Sequence, residues 1–260
     1  MNRKSVLEPS SLYDREFYEF IHPGSSQSAA RVAPELINLF SPGSILDVGC
    51  GTGAWLAEFR KHGIADVIGV DGDWVNNNQL SIPQELFLGR DLRKPLTLDR
   101  QFDLVMTLEV AEHLPPERGE SFVSDLVAFA PVVFFSAATP SGPDEGVGEI
   151  NKRWPGYWAN LFAAFDYLPF DYLRFKFWDD RLVEWWYRQN MILYIKQSYL
   201  NSRPDLEQIL NSTPPGVLSL IHPVHYQEQI ALVANSGPKS LLRALPRATI
   251  RAIKRRLKRL

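Results

Sequence analysis

The sequence predicts an α/β protein with a doubly wound, mostly parallel β-sheet. Short runs of β-branched and apolar residues alternate with segments of helical pattern, which is typical of parallel strands joined by crossover helices. A cluster of glycines lies between the first such run and the first helical segment after it. The chain has 260 residues, 45% hydrophobic and 22% charged, a composition typical of a folded globular protein.

The first predicted helix spans 25–40, where serines can cap its start and Pro34 is a position at which it can kink. The first strand follows over 44–48, in the run Ser-Ile-Leu-Asp-Val. The glycines of 49–53 predict a turn, and the next helix covers 54–62 because Gly63 supplies a C-terminal stop. A second strand is expected over 67–70, in Val-Ile-Gly-Val.

Further strands continue the alternation. They are expected over 85–88, over 102–107 in Phe-Asp-Leu-Val-Met-Thr and over 132–136 in Val-Val-Phe-Phe-Ser, with a helix over 116–130. A loop rich in proline, glycine and acids follows over 137–150, and its length exceeds that of an ordinary connector. Long loops at such places tend to be functional. The last strand is expected over 191–195.

Aromatic residues are concentrated late in the chain. Residues 151–187 hold 14 of the 31 aromatics. They can pack a late helix on the sheet, since aromatic side chains dominate cores, or they can line a pocket. We therefore divide the chain into an N-terminal segment 1–24, a main domain 25–200 with an aromatic-rich substrate region 137–187, a C-terminal extension 201–238, and a basic amphipathic tail 239–260.

Charge is divided unevenly along the chain. Residues 239–260 hold nine of the 28 basic residues and no acid, which leaves 19 basic against 30 acidic residues in the remainder, or about −11 against +9. An acidic body repels phosphate backbones. We therefore do not expect nucleic acid as a partner of the main domain.

The basic tail has an amphipathic pattern. Its leucines and isoleucines recur mostly every three or four residues, and Pro246 restricts the regular part to 247–260. A terminal helix docked on the acidic body is one explanation, and RNA is another, although the tail has no aromatic residue for base stacking. Peripheral contact with an anionic membrane through 247–260 is the functional hypothesis we favour.

The single cysteine, Cys50, excludes an intrachain disulfide and a zinc site of several cysteines, and we expect no metal site. The first residues, as far as Glu8, contain no apolar segment of a signal peptide. No run approaches the roughly 18 apolar residues of a membrane span. We therefore expect a cytoplasmic protein.

The glycine turn carries the main functional signal. Asp47 is followed by Gly49, Gly51 and Gly53, between a strand and a helix, where glycines let the backbone approach a ligand closely. Asp71 ends the second strand, 24 residues beyond Asp47, where a carboxylate can accept from ribose hydroxyls. A dinucleotide loop would place its third glycine one residue later. Asp47 would also repel a pyrophosphate, but it suits a cationic amino group.

This pattern resembles motif I of the class I S-adenosylmethionine-dependent methyltransferases, an acid followed by Gly-x-Gly-x-Gly. The resemblance extends over 14–197 and implies a Rossmann-like sheet of about seven strands with flanking helices and a C-terminal extension. It implies S-adenosyl-L-methionine as the cofactor. The cofactor-binding residues that it implies, with Asp71 at the ribose and Asp91 at the adenine edge, are Asp47, Gly49, Cys50, Gly51, Gly53, Asp71, Gly72, Asp91, Leu92 and Glu109. Asp91 can instead be a turn aspartate, and Glu109 a helix or turn acid.

Methyl transfer to a hydroxyl is helped by a general base, because the attacking oxygen must lose its proton. His113 follows the fourth strand, at the edge where open α/β sheets bind ligands, and is the predicted catalytic residue. Alternatively, His113 caps a helix or lies just outside the reacting groups and supports them. The predicted contacts to the acceptor substrate are His22, Glu112, Asn151, Trp154, Tyr157 and Trp158.

Two features of nucleic-acid methyltransferases are absent from the sequence, and this restricts the class of methyl acceptor. The Asn/Asp-Pro-Pro-aromatic sequence of nucleic-acid amino-methylating enzymes does not follow the fourth strand, and Cys50, in the glycine turn, cannot serve cytosine methylation. We expect O-methylation of a small molecule, sugar or glycan. The alternatives are a protein or RNA methyltransferase, or a non-catalytic nucleotide-binding module.

The finer pattern of 154–158 and 184–189 resembles a bacterial subgroup of the family that is associated with glycan or secondary-metabolite pathways. Members of that subgroup often carry histidine at the position of Glu149. Because this sequence departs from the subgroup there, we assign no catalytic role to Glu149.

Overall fold

The structure is a computed structural model that describes residues 13, 15–140, 148–212 and 217–234. Its strands are β1 (Ser44–Val48), β2 (Asp66–Asp71), β3 (Phe87–Gly89), β4 (Leu104–Leu108), β5 (Val132–Ser136), β6 (Tyr167–Phe170) and β7 (Ile192–Lys196). They form one seven-stranded sheet in the order β3-β2-β1-β4-β5-β7-β6. β7 is antiparallel to both of its neighbours, and the other pairs are parallel. The predicted doubly wound, mostly parallel sheet of about seven strands is confirmed.

The described helices are α1 (Arg15–Phe40), α2 (Ala54–Lys61), α3 (Gly119–Phe129), α4 (Pro155–Ala163), α5 (Tyr172–Phe177), α6 (Trp185–Asn190), α7 (Gln197–Asn201), α8 (Pro204–Ser212) and α9 (Pro223–Ala234). Short 3-10 turns cover Asn77–Gln79, Gln84–Leu86, Ala111–His113 and Pro116–Arg118. The chain forms two compact units, of which the first holds the sheet and α1 to α8. In the described residues, α9 belongs to the second unit.

The sheet carries a separate hydrophobic core on each face. Alternate side chains of a strand point to opposite faces, so Phe134 of β5 packs with α1 and α2 while its neighbour Phe135 packs with α3 and α4. On the first face, Leu36 of α1 and Phe59 of α2 are fully buried. Parallel strands buried on both faces need nearly continuous apolar sequence, and β4 and β5 are buried over their whole length. Because the parallel strands run in the same direction, their carboxyl ends lie at one edge of the sheet, and the helices on both faces hold them there.

Two elements differ from the sequence predictions. α1 begins at Arg15, ten residues before the predicted start, and continues through Pro23 and Gly24. β6 was not predicted. It contains Pro169 and lies at the edge of the sheet, where a residue without an amide hydrogen is tolerated. The earlier start of α1 matters for function, because the added turns lie beside the glycine turn.

The other strands and helices whose bounds were predicted lie close to their predicted positions, whereas α4 to α9 were not predicted individually. β1 and β5 have the predicted bounds, and the predicted helix over 116–130 is a 3-10 turn followed by α3. The basic tail and residues 141–147 of the predicted loop lie outside the described residues. Among the described helices, none is both long enough and apolar enough to cross a bilayer.

Candidate active site

The carboxyl ends of β1, β2 and β4 bring acidic side chains to one edge of the sheet. Asp47, in β1, lies in register with Gly69 of β2 and Met106 of β4. Asp71 is the last residue of β2, and Glu109 follows the last residue of β4. Ligands of open α/β sheets bind at this edge, so the fold places the predicted acids together there.

The loop after β1 requires glycine. Gly49, Gly51 and Gly53 have φ angles of 85°, 53° and 80°, in the left-handed region that residues with a side chain avoid. A Cβ atom at Gly49 would also lie 2.2 Å from Cγ2 of Val110. The loop therefore requires glycine both for its backbone conformation and because Val110 packs where a side chain at Gly49 would stand.

Asp71 holds this loop against β2. Its carboxylate accepts hydrogen bonds from the amides of Gly51 at 2.7 Å and Gly72 at 2.6 Å. Burial is the main cause that raises the pKa of Asp71, while the two amide hydrogen bonds and nearby His113 act against it. Asp71 is therefore positioned with its carboxylate at the loop, where it can also accept from ligand hydroxyls.

Asp47 is the most deeply buried acid of the glycine-loop region. Its side chain is 3% exposed, and burial raises its pKa to about 8, with a smaller contribution from Asp71. Ionising a carboxyl group in this position is costly unless a cation lies beside it. The site is therefore suited to a ligand that brings a positive charge to Asp47.

A pocket of about 440 Å³, with its open mouth included, lies between α1, the glycine loop, α2 and α6. His22 of α1 lines it, and its Nδ1 is 3.0 Å from Oγ1 of Thr52. Ser25 of α1 and Tyr187 of α6 also line it, with their hydroxyl oxygens 3.2 Å apart.

His113 lies in the 3-10 turn that follows β4. Its ring donates a hydrogen bond to the backbone of Gly148, and the ring of Tyr13 meets it edge to face at 5.5 Å. Burial lowers the pKa of His113, and nearby Glu149 opposes this effect. Among the described residues, Nδ1 of His113 has no hydrogen-bond partner. The imidazole is therefore neutral near pH 7 and keeps a lone pair that can accept a proton.

Glu109 and Glu112 form a buried carboxyl pair beside His113. Burial is the main cause that raises the pKa of both groups, to about 7 for Glu112, and the charge of Glu112 also raises the pKa of Glu109. Oε1 of Glu112 also accepts from the Ala138 amide at 2.9 Å, and the carboxyl of Glu109 accepts from Nδ2 of Asn190 at 3.3 Å. Both carboxyl groups therefore hold their protons to higher pH than exposed glutamates do.

Most predicted cofactor-binding residues lie together in this region. Gly49, Cys50, Gly51 and Asp47 line the pocket, and His22, predicted as a substrate contact, lines it with them. Burial raises the pKa of the Cys50 thiol, which is therefore uncharged. The ring of Trp74 packs over Gly72. A Cβ atom at Gly72 would be only 2.1 Å from that ring.

Asp91 and Leu92 follow β3 and are not among the described residues that line this pocket. Asp91 forms a two-point ion pair with Arg93, at 2.8 and 3.0 Å, and this interaction is the largest cause that lowers the pKa of Asp91. Leu92 is buried in the core on the α3 face. Contact of Asp91 with an adenine edge stays a prediction.

Two predicted substrate contacts are buried. Asn151 is 2% exposed; its Nδ2 donates to the Ala111 carbonyl and its Oδ1 accepts from Arg153, so it fastens its own segment to the His113 turn. Trp158 is 2% exposed and packs on Phe135 in the core. Their contact with an acceptor stays a prediction.

Tyr157 and Trp154 remain accessible. Tyr157 is half-buried beneath the guanidinium of Arg153, which lies 4.9 Å from its ring centre, and Trp154 is 39% exposed. Their contact with an acceptor stays a prediction.

Sequence reasoning missed several pocket residues. Thr52 lies inside the predicted glycine turn and Trp55 just after it, so their positions in the motif offered a signal. Tyr187 is 140 residues beyond Asp47 and reaches the pocket through the packing of α6, which no local pattern reveals. Tyr18 and Ser25 lie on α1, partly in the turns that were not predicted.

Comparisons with known proteins agree with this geometry. Residues 25–213 match the family model of a methyltransferase domain. The solved structure of an amino pentose methyltransferase from Micromonospora echinaspora, involved in calicheamicin biosynthesis and bound to S-adenosylmethionine, has 17% sequence identity and a TM-score of 0.52. That match covers 69% of this chain and 96% of the other.

A sugar N-methyltransferase from a Streptoalloteichus species has 16% identity and a TM-score of 0.52, with 67% of this chain and 87% of the other covered. At these identities the two structures show a shared fold. No curated protein matches the chain.

Proposed function

Because this chain belongs to the class I S-adenosylmethionine-dependent methyltransferases, we propose that it methylates a hydroxyl group of a small molecule, sugar or glycan. The enzyme class and the cofactor follow from the family. The family also sets aside the alternative of a non-catalytic nucleotide-binding module. The acceptor and the roles of individual residues are our proposal.

The residues of the pocket and of the adjoining glycine loop fit the cofactor. Asp47 offers a buried carboxylate to the amino group, the left-handed glycines let the ligand approach the backbone, and Asp71 can accept from the ribose hydroxyls. When bound, S-adenosylmethionine supplies an electrophilic methyl carbon on a sulfonium. Burial of Asp47 supports the assignment, because its ionised form gains most from a cationic partner.

His113 is the observation that carries the choice of acceptor. Its Nδ1 is buried and has no partner among the described residues, and its lowered pKa keeps the ring neutral. A neutral imidazole with a free lone pair is a suitable base for a hydroxyl, whose proton must leave as oxygen attacks. We assign His113 this role, with the Gly148 backbone fixing the ring.

The remaining contribution of the protein is positioning. Methyl transfer is a displacement in line, so holding the two reactants aligned and excluding water provides much of the rate. Tyr13 covers His113 at 5.5 Å, and Tyr18 lies over the glycine loop, where its ring would be 3.3 Å from a Cβ atom at Gly51. We propose that Tyr13 and the start of α1 shield the reacting groups from water.

Sugar acceptors are compatible with the shared fold of the two solved structures, whose names describe methylation of an amino pentose and of a sugar nitrogen. A nitrogen acceptor is the second candidate, since the Glu109–Glu112 pair could receive an amine beside His113. A protein or RNA acceptor remains the alternative given by the sequence.

Identification of the product tests this proposal. The protein is incubated with methyl-labelled S-adenosylmethionine and an extract of its host, and the labelled product is isolated and its methylated atom identified. An O-methylated small molecule or glycan is expected, and an Asp71→Ala protein should yield little of it. A label found on nitrogen, on protein or on RNA would overturn the choice of acceptor.

A further inference from the structure

The pocket must neutralise both charges of the cofactor's amino-acid end. That end carries an ammonium and a carboxylate near neutral pH. Asp47 provides a negative group for the ammonium, whereas a buried carboxylate needs a cation or several hydrogen-bond donors of its own. A side chain of the pocket wall must therefore provide the cation or the hydrogen-bond donors for this carboxylate.

His22 is the only Lys, Arg or His among the described residues that line this pocket. Its two ring nitrogens lie 3.0 Å from Oγ1 of Thr52 and 3.3 Å from Oγ of Ser26. Both partners are hydroxyls, which can accept from a ring N–H. The two hydroxyls therefore fix the orientation of the His22 ring in the pocket wall.

Other donors lie on the same side of the pocket. The hydroxyls of Ser25 and Tyr187 line the wall, and Thr52 immediately precedes Gly53, the N-terminal cap of α2. The positive end of a helix dipole adds to the attraction of an anion there. The pocket thus combines hydrogen-bond donors and one potential cation with a single acidic group, Asp47, as expected for a zwitterionic ligand.

We propose that His22, held by Thr52 and Ser26, is the basic side chain that meets the cofactor's α-carboxylate. This inference rests on S-adenosylmethionine as the cofactor and replaces the acceptor contact predicted for His22 from the sequence. It makes α1 a part of the cofactor site, since the loop motif after β1 contains no cation. The earlier start of α1 at Arg15 is what brings His22 within the helix.

Calorimetric titration with a matched pair of ligands tests the assignment. S-adenosylmethionine is compared with its decarboxylated analogue, which lacks the carboxylate and keeps the amine, the sulfonium and the adenosine. In His22→Gln, the affinity for S-adenosylmethionine should fall by roughly 10- to 100-fold, the scale of a hydrogen bond to a charged group. The affinity for the decarboxylated analogue should change by less than about threefold, because that ligand has no carboxylate for the basic ring to meet.

The control is His62→Gln, at the exposed end of α2, which should bind both ligands as the wild type does. Equal losses for both ligands in His22→Gln would overturn the proposal and make His22 a packing residue, and so would no loss for either. Titrations need no acceptor, so the outcome does not depend on O-methylation. A wild-type protein that binds neither ligand would overturn the cofactor assignment and this inference with it.

Discussion

The amide of Gly51 donates a hydrogen bond of 2.7 Å to the carboxylate of Asp71, which ties the glycine loop after β1 to the end of β2. The two residues are 20 apart in sequence and meet because β1 and β2 are parallel neighbours. The acid that is expected to accept from the ribose therefore also fixes the backbone against which the cofactor lies. Loop shape and ligand recognition depend on one side chain.

The charge of Asp47 should couple cofactor binding to pH. Burial raises its pKa to about 8, so between pH ~4 and about 8 the folded protein keeps a proton that the unfolded chain has released. The free energy of unfolding of the cofactor-free protein should therefore fall as pH rises through this window. The part of this fall in the free energy of unfolding that Asp47 causes should be absent from Asp47→Asn. Thermal unfolding at several pH values measures it.

The same variant separates stability from binding. At pH 8, Asp47→Asn should bind S-adenosylmethionine at least roughly tenfold more weakly, because an amide cannot neutralise the ammonium. Affinity equal to that of the wild type at this pH would contradict the role of Asp47.

Two glycines with similar backbones should differ in their tolerance of alanine. Gly63 has a φ angle of 91° and nothing within 4 Å of a Cβ atom, so Gly63→Ala should cost only about 1–2 kcal/mol for the left-handed conformation. Gly49 has a φ angle of 85°, and its Cβ would also clash with Val110, which adds about 1–3 kcal/mol. Urea unfolding of both variants measures the difference. Equal losses of stability would show that Val110 yields easily.

His113→Ala should lower turnover by roughly 10²-fold or more, the scale of a general base, while cofactor affinity stays nearly unchanged. Because burial lowers the pKa of His113, wild-type activity should persist below pH ~6.5 and fall only in more acidic solution. That acidic limb should be absent from the variant. Initial rates of label transfer against pH provide the measurement, with His62→Ala as the control. Unchanged turnover would assign His113 a structural role.

The basic tail, 239–260, lies outside the described residues, and its membrane contact stays a sequence prediction. Full-length protein should float with anionic liposomes and detach at high salt, because its cationic residues contribute about 1 kcal/mol each near such a surface. A protein truncated after Ser236 should not float. If both proteins behave alike, the lipid hypothesis is wrong.

Local patterns predicted the parts of the fold that local sequence determines. β1 and β5 are short apolar runs bounded by turn residues, and their bounds were confirmed. α1 was predicted too short because Pro23 and Gly24 look like a boundary, yet packing of α1 on α2 and β1 outweighs their low helix propensity. β6 was missed because Pro169 argues against a strand except at an edge, and edge position is a property of the whole sheet.

The candidate site likewise contains residues that local sequence predicts and residues whose positions depend on the whole fold. Asp47, the glycines and Asp71 follow from order and spacing within one strand-loop-helix-strand unit. The burial of Trp158 could not be inferred, since an aromatic residue in a helix looks the same whether it faces core or solvent. Asn151 was placed on the substrate side because its segment was expected to line a pocket, but its hydrogen bonds to the His113 turn depend on contacts 40 residues apart.

Calorimetric titration of wild-type and Asp71→Ala proteins with S-adenosylmethionine and with NAD tests the central claim most directly. The wild type should bind S-adenosylmethionine more tightly than NAD. In Asp71→Ala, affinity for S-adenosylmethionine should fall at least roughly tenfold, since the variant loses both the hydroxyl acceptor and the hydrogen bond that holds Gly51. Tighter binding of NAD by the wild type, or full affinity for S-adenosylmethionine in Asp71→Ala, would contradict the proposed site.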